Sequence, residues 1–234
     1  MTPTLIACSH GTSDERGRAA ISALLDQVRA LLPGTRVVEA FVDVQEPAID
    51  AVLARWAPEG PAVVVPLLLS AGYHTRVDIA RAAAAHPERV TVAPALGPHD
   101  LLVEVLVSRL ASLGRTPDDA IVLAAAGSTD PASAVAVRST ADRLAQRLDV
   151  PVEVGFAAGD GPRITETVTA ARARGASRVV IASYVLAPGF FANVIAASGA
   201  DVVTAPLAPD PRVAALVAER FTAAIPNLPA LQLR

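Results

Sequence analysis

The chain has 234 residues, 52% of them apolar and 18% charged, with a formal net charge of −3. That length holds one large domain or two small ones, and the apolar share fills a sizeable core. The near balance of charge, without a basic block, argues against nucleic-acid binding by phosphate neutralisation, and the single cysteine, Cys8, excludes a disulfide framework and a cysteine-ligated iron–sulfur cluster.

The N-terminus, MTPTLIACSHG, lacks the basic segment of a secretory signal and turns polar within its first residues. The longest apolar runs, such as 62–71, fall short of the roughly 18–20 residues that span a bilayer. A soluble, cytoplasmic, globular protein is expected.

In chain order, residues 4–8 read as a buried strand and 14–32 as a helix with Ala20, Leu24, Leu25, Val28, Leu31 and Leu32 on one face. Pro33 and Gly34 stop that helix. A second strand is expected at 36–42 and a second helix at 47–56, opened by Pro47 in its first turn. Residues 62–69 form a charge-free run rich in valine and leucine, as expected of a strand covered on both faces of a parallel sheet. A helix at 77–85, a short strand at 90–93 and a helix at 101–113 follow. Such alternation predicts an α/β fold with parallel strands and right-handed crossovers.

After a polar break at 114–119 the pattern restarts with a strand at 120–125. Laying the second half on the first at an offset of about 115–117 residues aligns three blocks. Residues 6–12 (IACSHGT) fall on 122–128 (VLAAAGS), 41–49 (FVDVQEPAI) on 156–164 (FAAGDGPRI), and 63–74 (VVVPLLLSAGYH) on 180–191 (VIASYVLAPGFF). A looser fourth match sets 90–96 against 201–207. Three blocks at nearly one offset, with a fourth in order, indicate an internal duplication.

The copies differ where chemistry is expected. His10 becomes Ala126, Asp43 becomes Ala158 and His74 becomes Phe191, whereas Gly11 persists as Gly127 and Gly72 as Gly189. Backbone-shaping residues are kept in both halves, and the polar side chains only in the first. His10 and His74 each follow a predicted strand and Asp43 ends another, on the sheet edge where open α/β folds bind ligands. Two imidazoles and a carboxylate there suit a divalent first-row metal with open positions. Asp43 reads equally as a turn-capping residue. His86 and His99 read as solvated or capping positions, and Cys8 as a small apolar core residue.

Ser9-His10-Gly11-Thr12, then Phe41-Val-Asp43 with Pro47, then Pro66-Leu-Leu-Leu followed by Gly72-Tyr73-His74 and Asp78-Ile79, resembles the CbiX-type sirohydrochlorin chelatases. The third block is the specific one. The resemblance covers essentially the whole chain and implies two tandem chelatase-like three-layer α/β/α units, each with a mainly parallel four-stranded sheet, related by a pseudo-two-fold. On this reading residues 1–115 carry the metal site, and residues 116–234 form a degenerate repeat walling the other side of a cleft.

The resemblance further implies insertion of Fe²⁺ or Co²⁺, with Ni²⁺ a further candidate, into sirohydrochlorin on the route to sirohaem or cobalamin. His10 and His74 match the family's active-site histidines and would be both metal ligands and catalytic groups. Asp43 matches a position where the family usually has Glu. Ser9, Gly11, Thr12, Gly72, Tyr73 and Arg76 fall in the motifs that would line the tetrapyrrole site. Insertion releases two pyrrole N–H protons, so the site needs ligands and proton acceptors together. Protons compete with metal for imidazole, so activity should fall below about pH 6.

Arg16, Arg18, Arg76 and Arg163 are candidates to meet substrate carboxylates. Phe190, Phe191 and Ala126 would supply an apolar wall opposite the histidines. No P-loop and no Gly-x-Gly-x-x-Gly is present, so no nucleotide is expected. A monomer with one metal site is expected, with a small-molecule tetrapyrrole as its partner and neither nucleic acid nor membrane. Two alternatives share the motifs: a non-catalytic tetrapyrrole or metal carrier, and a histidine-phosphatase-like enzyme. The second lacks the arginine that would hold phosphate, because Ser9 stands there.

Overall fold

The computed structural model describes residues 2–70, 72–116 and 118–229, and of residues 73–76 the backbone only. Among the described residues, Thr4–Ser9 (β1), Val37–Phe41 (β2), Ala62–Pro66 (β3) and Val90–Val92 (β4) form one parallel sheet in the order β2-β1-β3-β4. Ala120–Ala125 (β5), Val152–Phe156 (β6), Val179–Tyr184 (β7) and Val202–Val203 (β8) repeat it as β6-β5-β7-β8. The duplication read from the sequence is thus a duplication of sheets.

Strand residues alternate between two cores, as a period of two requires. In the first sheet Leu5, Ala7, Val63 and Val65 face a central core, while Ile6, Cys8, Ala62 and Val64 face an outer one. The outer core is closed by helices Ile49–Trp56 (α2) and Tyr73–Ala84 (α3), through Val52, Leu53 and Ile79. Cys8 is fully buried there, and burial pushes its thiol up to about 12, in keeping with a packing role. In the second sheet Ile121, Leu123, Val180 and Ala182 face the central core. Val122, Ala124 and Ile181 face an outer core shared with Ile164–Ala173 (α6) and Phe190–Ala196 (α7).

The central core is common to both halves. Glu15–Leu31 (α1), Asp100–Ser112 (α4), Pro131–Leu148 (α5) and Pro211–Ala224 (α8) fill it. Each half sends its last helix across: α4 packs on β7 and α5, and α8 packs on β3 and α1. Side chains reinforce the exchange. Arg220 on α8 donates to the carbonyls of Ala95 and Leu96 (3.1 and 3.2 Å), and Arg212 to that of Glu104 (3.0 Å). The buried Tyr184 hydroxyl donates to the carbonyl of Leu69 (3.3 Å) and accepts from Thr140 (3.3 Å). Each sheet is therefore covered on both faces, with the middle helical layer shared.

Several helix starts differ from expectation. α2 opens at Ile49, two residues after Pro47. The Phe41 amide donates to the Pro47 carbonyl and the Ala48 amide to the Glu46 carboxylate, which holds this stretch extended. α3 begins at Tyr73 and not at residue 77, because its first turn is polar and carries no apolar periodicity to read. The strand expected at 62–69 ends at Pro66, whose nitrogen has no hydrogen to donate to the β4 side, while the Leu67 amide still donates to the Cys8 carbonyl (2.8 Å). His99 caps α4, its Nδ1 accepting from the Leu101 amide (3.2 Å), as Asp210 caps α8 in the second half.

Candidate functional site

The C-terminal ends of β1 and β2 continue their pairing past the strands. The Val42 amide donates to the Ser9 carbonyl (3.0 Å) and the Asp43 amide to the His10 carbonyl (3.1 Å). His10 and Asp43 therefore stand side by side on the sheet edge, both exposed. Gly11 permits this approach: at φ +92 it sits in the left-handed region, and a Cβ there would stand 2.4 Å from the Asp43 carbonyl oxygen. Gly127 repeats the device at φ +86, with the Ala158 carbonyl 1.9 Å from a built Cβ. The glycines persist because the backbone needs them in both halves.

The two edges meet. A Cβ at Gly189, in the loop after β7, would lie 3.1 Å from the Thr12 hydroxyl in the loop after β1. One at Gly72, after β3, would lie 3.4 Å from the Ser128 hydroxyl after β5. Thr12 and Ser128 are equivalent positions, as are Gly72 and Gly189, so the contacts are reciprocal, as a pseudo-two-fold requires. Ser70 and Ser133 add a hydroxyl–hydroxyl bond of 2.8 Å between the halves.

The walls of this junction differ in chemistry. The first half presents His10 and Asp43; the second presents Ala126 and Ala158, each half-buried. α3 opens with Tyr73-His74, and the equivalent start of α7 carries Phe190 and Phe191, 73% and 38% exposed. The two rings pack edge to face with centroids 5.3 Å apart. The pair forms an exposed apolar surface at the start of α7.

Of the remaining expected residues, Ser9 is buried as the last residue of β1. Thr12 is engaged within the protein, its amide donating to Gln45 Oε1 (2.8 Å) and its hydroxyl accepting from the Asp14 amide (3.1 Å). The backbones of Tyr73, His74 and Arg76 form the first turn of α3, and their side chains lie outside the described residues. Among the described residues no group of three or more His, Cys, Asp or Glu could hold a metal ion. Arg16 pairs with Asp14, and Arg18 donates to the Ser13 carbonyl (3.1 Å). Arg163 is exposed, with no ion pair among the described residues.

Two residues escaped the sequence reading. Val44 adopts φ +58, a conformation costing a β-branched residue roughly 1–3 kcal/mol. Its amide donates to Asp43 Oδ1 (2.8 Å). Gln45 crosses from the β2 loop to the Thr12 amide. The one signal was the aligned pair Val44 and Gly159, a valine where the repeat uses glycine.

A family model described as CbiX matches residues 4–113 and again 120–224. A search of curated proteins returns no match. Among solved structures, SirB from Bacillus subtilis with Fe³⁺ superposes with a TM-score of 0.81 at 21% identity, over 98% of this chain and 96% of that one. The sirohydrochlorin chelatase SirB of Bacillus subtilis subspecies spizizenii, in complex with cobalt, gives 0.75 at 20% identity, over 97% of each chain. CbiX described as the terminal enzyme for biosynthesis of sirohaem in denitrifying bacteria gives 0.68 at 19%, over 95% and 99%. These likenesses establish the fold, and no helix among the described residues is long and apolar enough to cross a membrane. With the family model matched twice along its length, the chain belongs to the CbiX family.

Proposed function

We propose that this CbiX-family chain inserts a divalent metal ion, Fe²⁺ or Co²⁺, into sirohydrochlorin, serving sirohaem or cobalamin formation. The observation that carries the reading is the unequal pair of walls. His10 and Asp43 stand on the first half's edge. The Thr12 loop that follows His10 approaches Gly189, from which α7 opens with the exposed Phe190 and Phe191. A flat macrocycle needs an apolar surface on one face and metal-delivering groups on the other. The named relatives, a sirohydrochlorin chelatase with cobalt, SirB with Fe³⁺ and a sirohaem-forming enzyme, support the same chemistry.

On this reading the metal is a substrate. His10 and His74, as neutral imidazoles, hold the ion while it sheds water, and the macrocycle nitrogens then replace them. The ion gains four pyrrole nitrogens, and two N–H protons leave for the imidazoles or solvent. Asp43, next to His10, stabilises a protonated imidazole and leads the proton outward. Residues 1–115 supply this wall and 116–234 the opposing one, with one metal bound per chain. Of the arginine candidates, Arg16 and Arg18 are occupied locally, which leaves Arg76 and Arg163 as partners for the substrate carboxylates.

The test is an anaerobic absorbance assay of sirohydrochlorin with Fe²⁺ or Co²⁺. Catalysed insertion that collapses in the His10→Ala/His74→Ala double variant supports the proposal. Tetrapyrrole binding without insertion identifies a carrier, and insertion that survives the double substitution overturns the imidazole mechanism.

A further inference from the structure

The loops after β1 and β2 are closed differently in the two halves. In the second half the Asp160 amide donates to the Ser128 carbonyl (3.3 Å), and Gly159, at φ +71, sits so close that a Cβ would meet Ser128 backbone atoms at 2.4–2.5 Å. The first half has Val44 at that position. A real side chain there forbids the same backbone approach to Thr12. The separation is bridged instead by the Gln45 side chain, whose Oε1 accepts from the Thr12 amide at 2.8 Å. The Gln45 amide also donates to the Asp43 carbonyl (2.5 Å), and the Val44 amide to the Asp43 carboxylate (2.8 Å). One short segment thus holds both the acidic side chain and the His10–Thr12 loop.

We infer that Gln45 is a positioning residue of the metal-bearing wall: it clamps the His10–Thr12 loop to the Asp43 loop and fixes the distance between the imidazole and the carboxylate. This rests on the chelatase reading above. The clamp occurs in the half that keeps His10 and Asp43. Its counterpart Asp160, in the half with Ala126 and Ala158, reaches Ser128 through backbone alone. A half-buried amide side chain accepting a backbone N–H across 33 residues of sequence is a geometric restraint, and groups that orient metal-handling side chains affect activity through them.

The experiment compares Gln45→Ala, which removes the acceptor, with Gln45→Glu, which keeps it, in the full chain. Two quantities are read: hydrogen exchange of the Thr12 amide, and kcat for Co²⁺ insertion into sirohydrochlorin. Gln45→Ala is expected to speed Thr12 exchange about tenfold and to lower kcat about tenfold. The KM for sirohydrochlorin should stay near wild type, and Gln45→Glu should recover most of both losses. Faster exchange with unchanged kcat overturns the inference, because the clamp would then be structural only. Unchanged exchange overturns it at the first step. A wild-type chain that inserts no metal defeats the chelatase reading instead, and the clamp is then judged on the Thr12 amide alone.

Discussion

Gly17, in the opening turns of α1, lies against the second half so closely that a Cβ would stand 2.4 Å from the Pro188 carbonyl oxygen. A backbone atom cannot swing aside as a side chain can, so this contact sets the spacing of the loops after β1 and β7. Gly17→Ala gains up to about 1 kcal/mol of helix propensity but wedges the halves apart, at about 1–3 kcal/mol. The expected result is a lower melting temperature and weaker insertion activity together. A melting temperature above wild type would show that the loops yield freely.

The exchange of α4 and α8 makes a second prediction. Without residues 116–234, the first sheet loses α8 from β3 and α1, and the apolar face of α4 loses β7 and α5. Leu102, Val105, Leu106 and Leu110, all fully buried in the whole chain, would meet water. A polypeptide of residues 1–115 should therefore unfold, aggregate or pair with a second copy. Sedimentation and circular dichroism decide: a stable, folded monomer of that length would contradict the shared core.

The alternation of strands and helices and the place of His10 and Asp43 at strand ends were legible because they rest on local signals. Buried runs such as 62–69 announce strands, and the repeat exposes which polar residues one half keeps. The strand order β2-β1-β3-β4 and the Asp43–His10 pairing came only with the structure. The helix exchange was not legible, since the apolar stripe of α4 shows that it is covered and not by which sheet. α3 was read four residues late, because Tyr73-His74-Thr75-Arg76 has no apolar period. Gln45 was invisible for a different reason. Its partner is an amide 33 residues away, and nothing in a glutamine codes for that distance.

Phe190 tests the apolar wall. At 73% exposure it contributes little to the core, so Phe190→Ser should leave thermal stability near wild type. Covering such a ring with a macrocycle is worth about 1.5 kcal/mol or more. The KM for sirohydrochlorin should then rise about tenfold, since about 1.4 kcal/mol is a factor of ten. The metal dependence should not move. An unchanged KM would remove α7 from the substrate wall.

Acid stability should report on the turn that follows the His10 loop. Asp14 caps α1, accepting from the Arg16 amide (2.9 Å), and its carboxylate also binds the Arg16 guanidinium. The hydrogen bond from the Arg16 side chain is the main cause that lowers the Asp14 carboxyl to about 2. Asp201 is likewise held below the usual range, first by the Val179 amide and then by Arg172. A folded-state pKa below the unfolded one means that the stabilisation is present above about pH 4. It is lost as pH falls toward the folded value. Asn at position 14 keeps a cap acceptor but cannot titrate. Thermal unfolding of Asp14→Asn should therefore resemble wild type near neutrality, apart from a small deficit from the lost ion pair. Between about pH 4 and 2 its melting temperature should fall less steeply than that of wild type. Parallel curves across that window would mean that Asp14 gains nothing from Arg16 on folding.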